Sequence, residues 1–416
     1  MRLLNFGLTA AASAALFAAF TFGPARAETP VPKEAKDLSA ANNRFGVEML
    51  RKLHKPGENT LLSPTSIGMA LQMTSRGAKG DTLAEMNKTM HVGELEVGEA
   101  NRKLMAALSG RDDVKLNIAN AIWADPARIT LDKDFSAKVS DEFKAEIKGI
   151  SFSDPKAKDE INGWVSDRTE KKIPELLQEA PEGAVCILVN AIYFKGNWTS
   201  KFDKDKTVKA DFNGADGKKQ RIEMMQSPAK VEWKYTDDED VQVVALPYGP
   251  AGDPEKPGTG PKVHMWLIVP KEGKSLDSVV NGLTGDKLAA WQQSAYEQPG
   301  TIHLPRFKIK FKKELRNDLK ALGMAKAFNS READFSGFEV GGARGKLFID
   351  QVIHEAVIEV DEEGTEAAAA TAVMMSRGAP PRPFTVRCDK PFLLAITDDR
   401  TGSIMFIGTV YKPDAK

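Results

Sequence analysis

Two periods of apolar residues run through this chain. From Asp37 to Lys55 they fall at Leu38, Phe45, Val47, Leu50 and Leu53, a helical spacing that predicts an opening amphipathic helix. Residues 59–86 follow, NTLLSPTSIGMALQMTSRGAKGDTLAEM. Ser63 before Pro64 reads as an N-cap with proline at the first helical position, and Gly77 as a stop. Further on, strand-like runs take over at 116–124 (LNIANAIWA), 185–194 (VCILVNAIYF), 241–248, 263–270, 303–311 (HLPRFKIKF) and 346–360 (KLFIDQVIHEAVIEV). Two more, FLLAIT and SIMFIGTVY, close the chain across the polar turn DDRTG. Residues 249–262, GPAGDPEKPGTGPK, are too rich in proline and glycine for regular structure and predict a long surface hairpin loop. Strands scattered among helices without regular alternation predict an α+β fold with largely antiparallel sheets.

The N-terminus changes the picture of where the protein works. Arg2, an apolar stretch from about Leu8 to Phe22, and small residues at Ala25 and Ala27 form the pattern of a cleaved secretory leader over residues 1–27. The expectation is a secreted or periplasmic protein, and the alanine-rich leader suggests a bacterial source. No later segment is long and apolar enough to span a membrane. No linker divides residues 28–416, so they are read as a single domain. Charge is balanced, 58 basic against 58 acidic residues with no block of one sign, which argues against a nucleic-acid partner. Cys186 and Cys388 sit among apolar residues; two buried thiols or one bridge are both open.

Enzymatic chemistry finds no footing. The five histidines are His54, His91, His264, His303 and His354, and no pair has the i, i+4 spacing of a zinc helix. No GxSxG elbow offers a serine nucleophile. No metal and no cofactor are expected.

What stands out instead is bland. Residues 361–376, DEEGTEAAAATAVMMS, follow a strand and lead into the proline-rich SRGAPPRPF. Both faces of such a segment are small, so it can lie exposed without a strong aggregation penalty, and it can also slide between existing strands.

The chain at this point resembles the serpin family over essentially all of residues 37–413. The resemblance is carried by NTLLSPTSIGMAL (59–71), LVNAIYFKGNW (188–198), LPRFKI (304–309), ADFSGF (333–338), IHEAVIEVDEEGTEAAAATA (353–372), DKPFLLAI and FIGTV. It implies the serpin fold: α+β, three β-sheets, about nine helices and an exposed reactive loop, here about 364–383. The implied activity is irreversible suicide-substrate inhibition of serine proteases, with the loop inserting into the main sheet behind a trapped acyl-enzyme. A non-inhibitory binding or chaperone role is the alternative. The small residues after Gly364 favour inhibition, because non-inhibitory members tend to carry bulky, charged or proline residues there.

Roles carried over by the resemblance are these. Gly364, Thr365, Glu366, Ala367, Ala368, Ala369 and Ala370 form the hinge. Ser63, Ser66, Asn190 and His354 match the polar cluster where the main sheet opens, and Trp198 marks where insertion starts. Glu362 and Arg306 match a pair tying the loop's base to the neighbouring strand. For the reactive bond, the family's count from Gly364 lands on Gly378–Ala379, while chemistry favours Arg377–Gly378, since a guanidinium can pair with a carboxylate deep in a trypsin-like pocket. Met375 or Ser376 is the fallback, for a chymotrypsin-, elastase- or subtilisin-like enzyme. The expected partner is thus a serine protease, trypsin-like first, with no nucleic acid, no membrane and the inhibitor a monomer.

Overall fold

The computed structural model describes residues 30–109, 111, 113–179, 184–229, 231–253, 260–340, 347–364 and 382–413. Among them are nine α-helices and three β-sheets, and the described residues from Val31 onward form one compact unit. The architecture is the expected α+β one. Of the ladders among the described residues, only those between Tyr296–Pro305 and Phe384–Arg387 and between Lys115–Ala124 and Glu146–Gly149 are parallel.

The largest sheet runs, in order, through Thr60–Leu62, Ser403–Val410, Phe392–Asp398, Val263–Pro270, Val241–Tyr248, Glu232–Asp237, Tyr296–Pro305, Lys219–Gln226 and Val208–Asn213, with Phe384–Arg387 added beside Tyr296–Pro305. Its central strands read as continuous apolar runs because both of their faces are buried. Trp266, Ile268, Leu393 and Ala395 point into a helix-lined core with Leu38, Phe45 and Leu50. The alternate residues Met265, Leu267, Leu394 and Ile396 point into a second core, shared with Phe307, Ile309, Ile358, Ile192 and Phe194 of the two smaller sheets. The smaller sheets therefore lie over the large one.

The opening helix is Lys33–Leu53, and the second is Pro64–Ser75 with Ser63 as its N-cap; the Ser63 hydroxyl accepts from the Ser66 N–H at 3.2 Å. The hairpin between Val241–Tyr248 and Val263–Pro270 spans the proline- and glycine-rich stretch, whose residues 254–259 are outside the described set. Two strand expectations are corrected. The run 303–311 is not one strand: Tyr296–Pro305 belongs to the large sheet and Phe307–Glu314 to a different one, with Arg306 at the corner, its N–H donating to the Glu223 carbonyl at 2.8 Å. Of the run 346–360, residue 346 lies outside the described residues, and among 347–360 a strand forms only over Ile353–Val360. Leu347, Ile349 and Val352 still pack against the core, but their backbone is not laddered: the Val352 N–H donates to a Glu314 carboxylate oxygen and its carbonyl accepts from the Leu315 N–H. Apolar alternation reports burial, and here burial does not bring a strand partner.

Cys186 and Cys388 are unbridged thiols. Burial pushes the Cys186 thiol up to about 12 and raises that of Cys388 as well, so both are protonated.

Candidate functional site

One small sheet has the order Glu146–Gly149, Lys115–Ala124, Cys186–Lys195; the other pairs Phe307–Glu314 with Ile353–Val360. Call the two strands of interest the Cys186 strand and the Ile353 strand. Each is laddered along one edge, and among the described residues no ladder joins them to each other. They are nonetheless neighbours: Ile187 and Val189 from one share an apolar cluster with Ile353 and Val357 from the other, beneath the helix Ala157–Arg168. Two strand edges thus face a seam, each with backbone donors and acceptors to satisfy.

A single helix N-terminus bridges that seam. The Ser63 N–H donates to His354 Nε2 on the Ile353 strand at 3.3 Å, while the Ser66 hydroxyl donates to the Asn190 side-chain oxygen on the Cys186 strand. Asn190 in turn donates to Asn120 at 2.6 Å, and Asn120 to the Phe143 carbonyl at 2.7 Å. The four residues expected to cluster are therefore brought into one network, together with Asn120, which sequence reading missed. The strand LNIANAIWA carries two asparagines, Asn117 and Asn120, and only the folded chain shows that Asn120 is the buried one. Burial pushes the His354 imidazole down to about 4, against a weaker opposing hydrogen bond with the Leu61 backbone. At neutral pH the ring is uncharged; the Ser63 N–H fixes Nε2 as acceptor and assigns the proton to Nδ1.

At the top of the seam the chain reverses. The Ile353 strand ends at Val360, and Asp361 and Gly364 then pair across a tight turn, with N–H to carbonyl distances of 3.2 and 3.3 Å. Gly364 sits at φ +110°, and a Cβ there would lie 2.5 Å from the Trp198 nitrogen and 2.6 Å from the Gly196 carbonyl oxygen, so only glycine fits. Gly364 also forms an antiparallel bridge with Asn197, just past the end of the Cys186 strand. At Gly364 the backbone therefore runs antiparallel to Asn197.

Trp198 organises this corner. Its ring stacks on Tyr248 with centroids 4.3 Å apart, its Nε1 donates to the Asp361 carbonyl at 2.9 Å, and its backbone N–H donates to the Glu363 carbonyl at 3.1 Å. The Glu362 side chain, 1% exposed, accepts two bonds from Arg306 Nη2 at 2.6 and 2.7 Å and one from the Thr207 hydroxyl at 2.5 Å. Burial alone would raise its pKa, but Thr207 and Arg306 outweigh that and leave it below the usual carboxylate range. Arg306 reaches this position because it stands where the chain crosses between sheets, and it also holds Glu223 at 2.6 Å. Glu223 and Thr207 were not foreseen: Thr207 follows the charged run DKDK, and Glu223 reads as an ordinary outward position of the strand Lys219–Gln226. Gly364 is described, whereas the remaining hinge residues from Thr365 to Ala370 and the reactive-bond candidates from Met375 to Ala379 lie outside the described residues.

The family model described as serpin (serine protease inhibitor) matches residues 40–413. The chain belongs to the serpin family. Among its relatives, human leukocyte elastase inhibitor is 34% identical over 394 residues, covering 91% of this chain and all of the relative. Iripin-8 of Ixodes ricinus is 34% identical, covering 95% of this chain and 98% of its own. Of solved structures, the thermophilic serpin tengpin in its native state superposes with a TM-score of 0.80 at 30% identity, covering 93% of this chain and 96% of that one. Serpins are protease inhibitors rather than catalysts, in line with the non-enzymatic reading of the sequence.

Proposed function

We propose that this serpin is an irreversible inhibitor of serine proteases that inserts its reactive loop between the Cys186 and Ile353 strands. The observation that carries the reading is the reversed turn at Gly364 beside two strand edges that share no ladder among the described residues. A protease serine attacks the scissile carbonyl, the amine of the C-terminal piece departs, and an ester links protease and inhibitor. Water would hydrolyse that ester to a carboxylate and free enzyme. If the freed loop becomes a strand first, the protease is carried away from its working geometry and the ester persists. Strand addition to exposed edges is a recurrent recognition mode, and a new ladder contributes about 1 kcal/mol per hydrogen bond.

Arg377–Gly378 remains the proposed bond, with a trypsin-like target; the named elastase inhibitors among the relatives make an elastase-like target the first alternative. The leader-like residues 1–27 are the ground for proposing export, to the outside or a periplasm. The human and tick relatives named above lend no support to a bacterial source.

The test is incubation with trypsin-, elastase-, chymotrypsin- and subtilisin-like proteases. A covalent complex that survives denaturing electrophoresis supports inhibition, and the mass of the released C-terminal peptide locates the bond. A peptide starting at Gly378 supports Arg377, and one starting at Ala379 supports the family count. Cleavage by every protease with no complex points to the non-inhibitory alternative.

A further inference from the structure

Three acidic residues in a row form the turn, and each is held differently. Asp361 is bound through its backbone and caps the Glu363 N–H at 2.9 Å; Glu362 is buried on Arg306. Glu363 reaches the other way, between Lys201 Nζ at 2.7 Å and Lys204 Nζ at 2.8 Å. Lys201 is 19% exposed and Glu363 23%, so this pair is partly shielded from water, whereas Lys204 is 63% exposed and adds less. The ammonium groups of Lys201 and then Lys204 beside it hold the Glu363 carboxyl below its usual range.

Both lysines lie on the segment that already donates backbone bonds to the turn, Trp198 N–H to the Glu363 carbonyl and Phe202 N–H to the Glu362 carbonyl at 3.0 Å. Side-chain charge and main-chain ladder therefore hold the same two pieces of chain together. If the Ile353 strand ran on straight, Glu363 would stand about 10 Å beyond Val360 at the usual strand rise. The Glu363 carbonyl would then leave the Trp198 N–H, so the clamp is tied to the reversed form of the turn.

We infer that Glu363, clamped by Lys201 and Lys204, is a positioning residue that keeps the turn closed and so sets how often the cleaved loop inserts before the protease escapes. This rests on the inhibitory reading proposed above. It adds residues outside the Arg306–Glu362 pair.

The test compares the unsubstituted protein with Glu363→Gln, with Lys201→Met plus Lys204→Met, and with the exchanged set Glu363→Lys, Lys201→Glu, Lys204→Glu. Hydrogen–deuterium exchange over residues 197–203, read by mass spectrometry at low salt, reports the turn without any protease. Both neutralised forms should exchange about three- to tenfold faster there, and the exchanged set should recover. With a protease that the unsubstituted protein traps, the neutralised forms should consume roughly threefold more inhibitor per trapped enzyme, at an unchanged rate of loop cleavage, and the difference should shrink in high salt. Unchanged exchange overturns the clamp. Faster exchange with unchanged inhibitor consumption overturns its positioning role. Should the unsubstituted protein trap nothing, the inhibitory reading fails and the positioning role with it, while the exchange data still decide whether the clamp holds the turn.

Discussion

His354 ties the Ile353 strand to Ser63 only while its ring is neutral, because protonation would turn the accepting Nε2 into a donor facing another donor. Its folded-state pKa is depressed to about 4, so as pH falls below about 6.5 the unfolded chain takes up a proton that the folded one refuses. Stability from this group is present above about 6.5, is lost as pH falls towards 4, and levels off below; the ceiling is about 3 kcal/mol. Denaturant midpoints between pH 7 and 4 should show that slope, and His354→Gln should remove its share of it. At the top of the seam, Arg306→Met would leave the buried Glu362 carboxylate with only Thr207, costing about 3 kcal/mol, while Glu362→Gln should cost less because no charge is stranded. Equal losses from the two substitutions would show that burial of the pair, rather than its charge, holds the loop's base. Glu362 and Arg306 were legible through the LPRFKI and DEEGT motifs. Asn120, Thr207 and Glu223 were not, because a polar residue announces its partner only once distant strands have been brought together.

Strands buried on both faces were legible as runs, which is why Val263–Pro270 and Phe392–Asp398 fall where the pattern puts them. The corner at Arg306 was passed over although it leaves a mark: the buried apolar positions are Ile302 and Leu304 before it and Phe307 and Ile309 after it, so the period-2 register shifts by one residue where the chain changes sheet. The seam, which no ladder bridges among the described residues, was invisible, since a missing ladder leaves no mark on hydrophobicity. Its consequence can be tested on the loop itself. Under the proposed insertion, Thr365 is the first residue to follow the Gly364 turn into the sheet with its side chain inward, and an unpaired guanidinium there would cost several kcal/mol. Thr365→Arg should convert the inhibitor into a substrate, giving cleaved protein and free protease in place of covalent complex on a denaturing gel. Undiminished complex would mean that the insertion register is wrong.

For the whole molecule, the proposal is that the intact fold is not its own most stable arrangement. A loop of about a dozen residues adding a strand across the seam gains on the order of 10 kcal/mol from ladder bonds, comparable with the whole stability of an ordinary domain. Such a reserve is what would let binding at one surface loop drive the displacement of an entire protease. It also implies that cutting the loop strengthens the protein, the opposite of what nicking does to most folds. The decisive measurement is thermal unfolding of the intact protein and of the same protein nicked between residues 375 and 379. Insertion predicts that the nicked form melts higher by on the order of 10 °C. Coincident melting curves, or a nicked form that melts lower, would contradict loop insertion and with it the inhibitory mechanism.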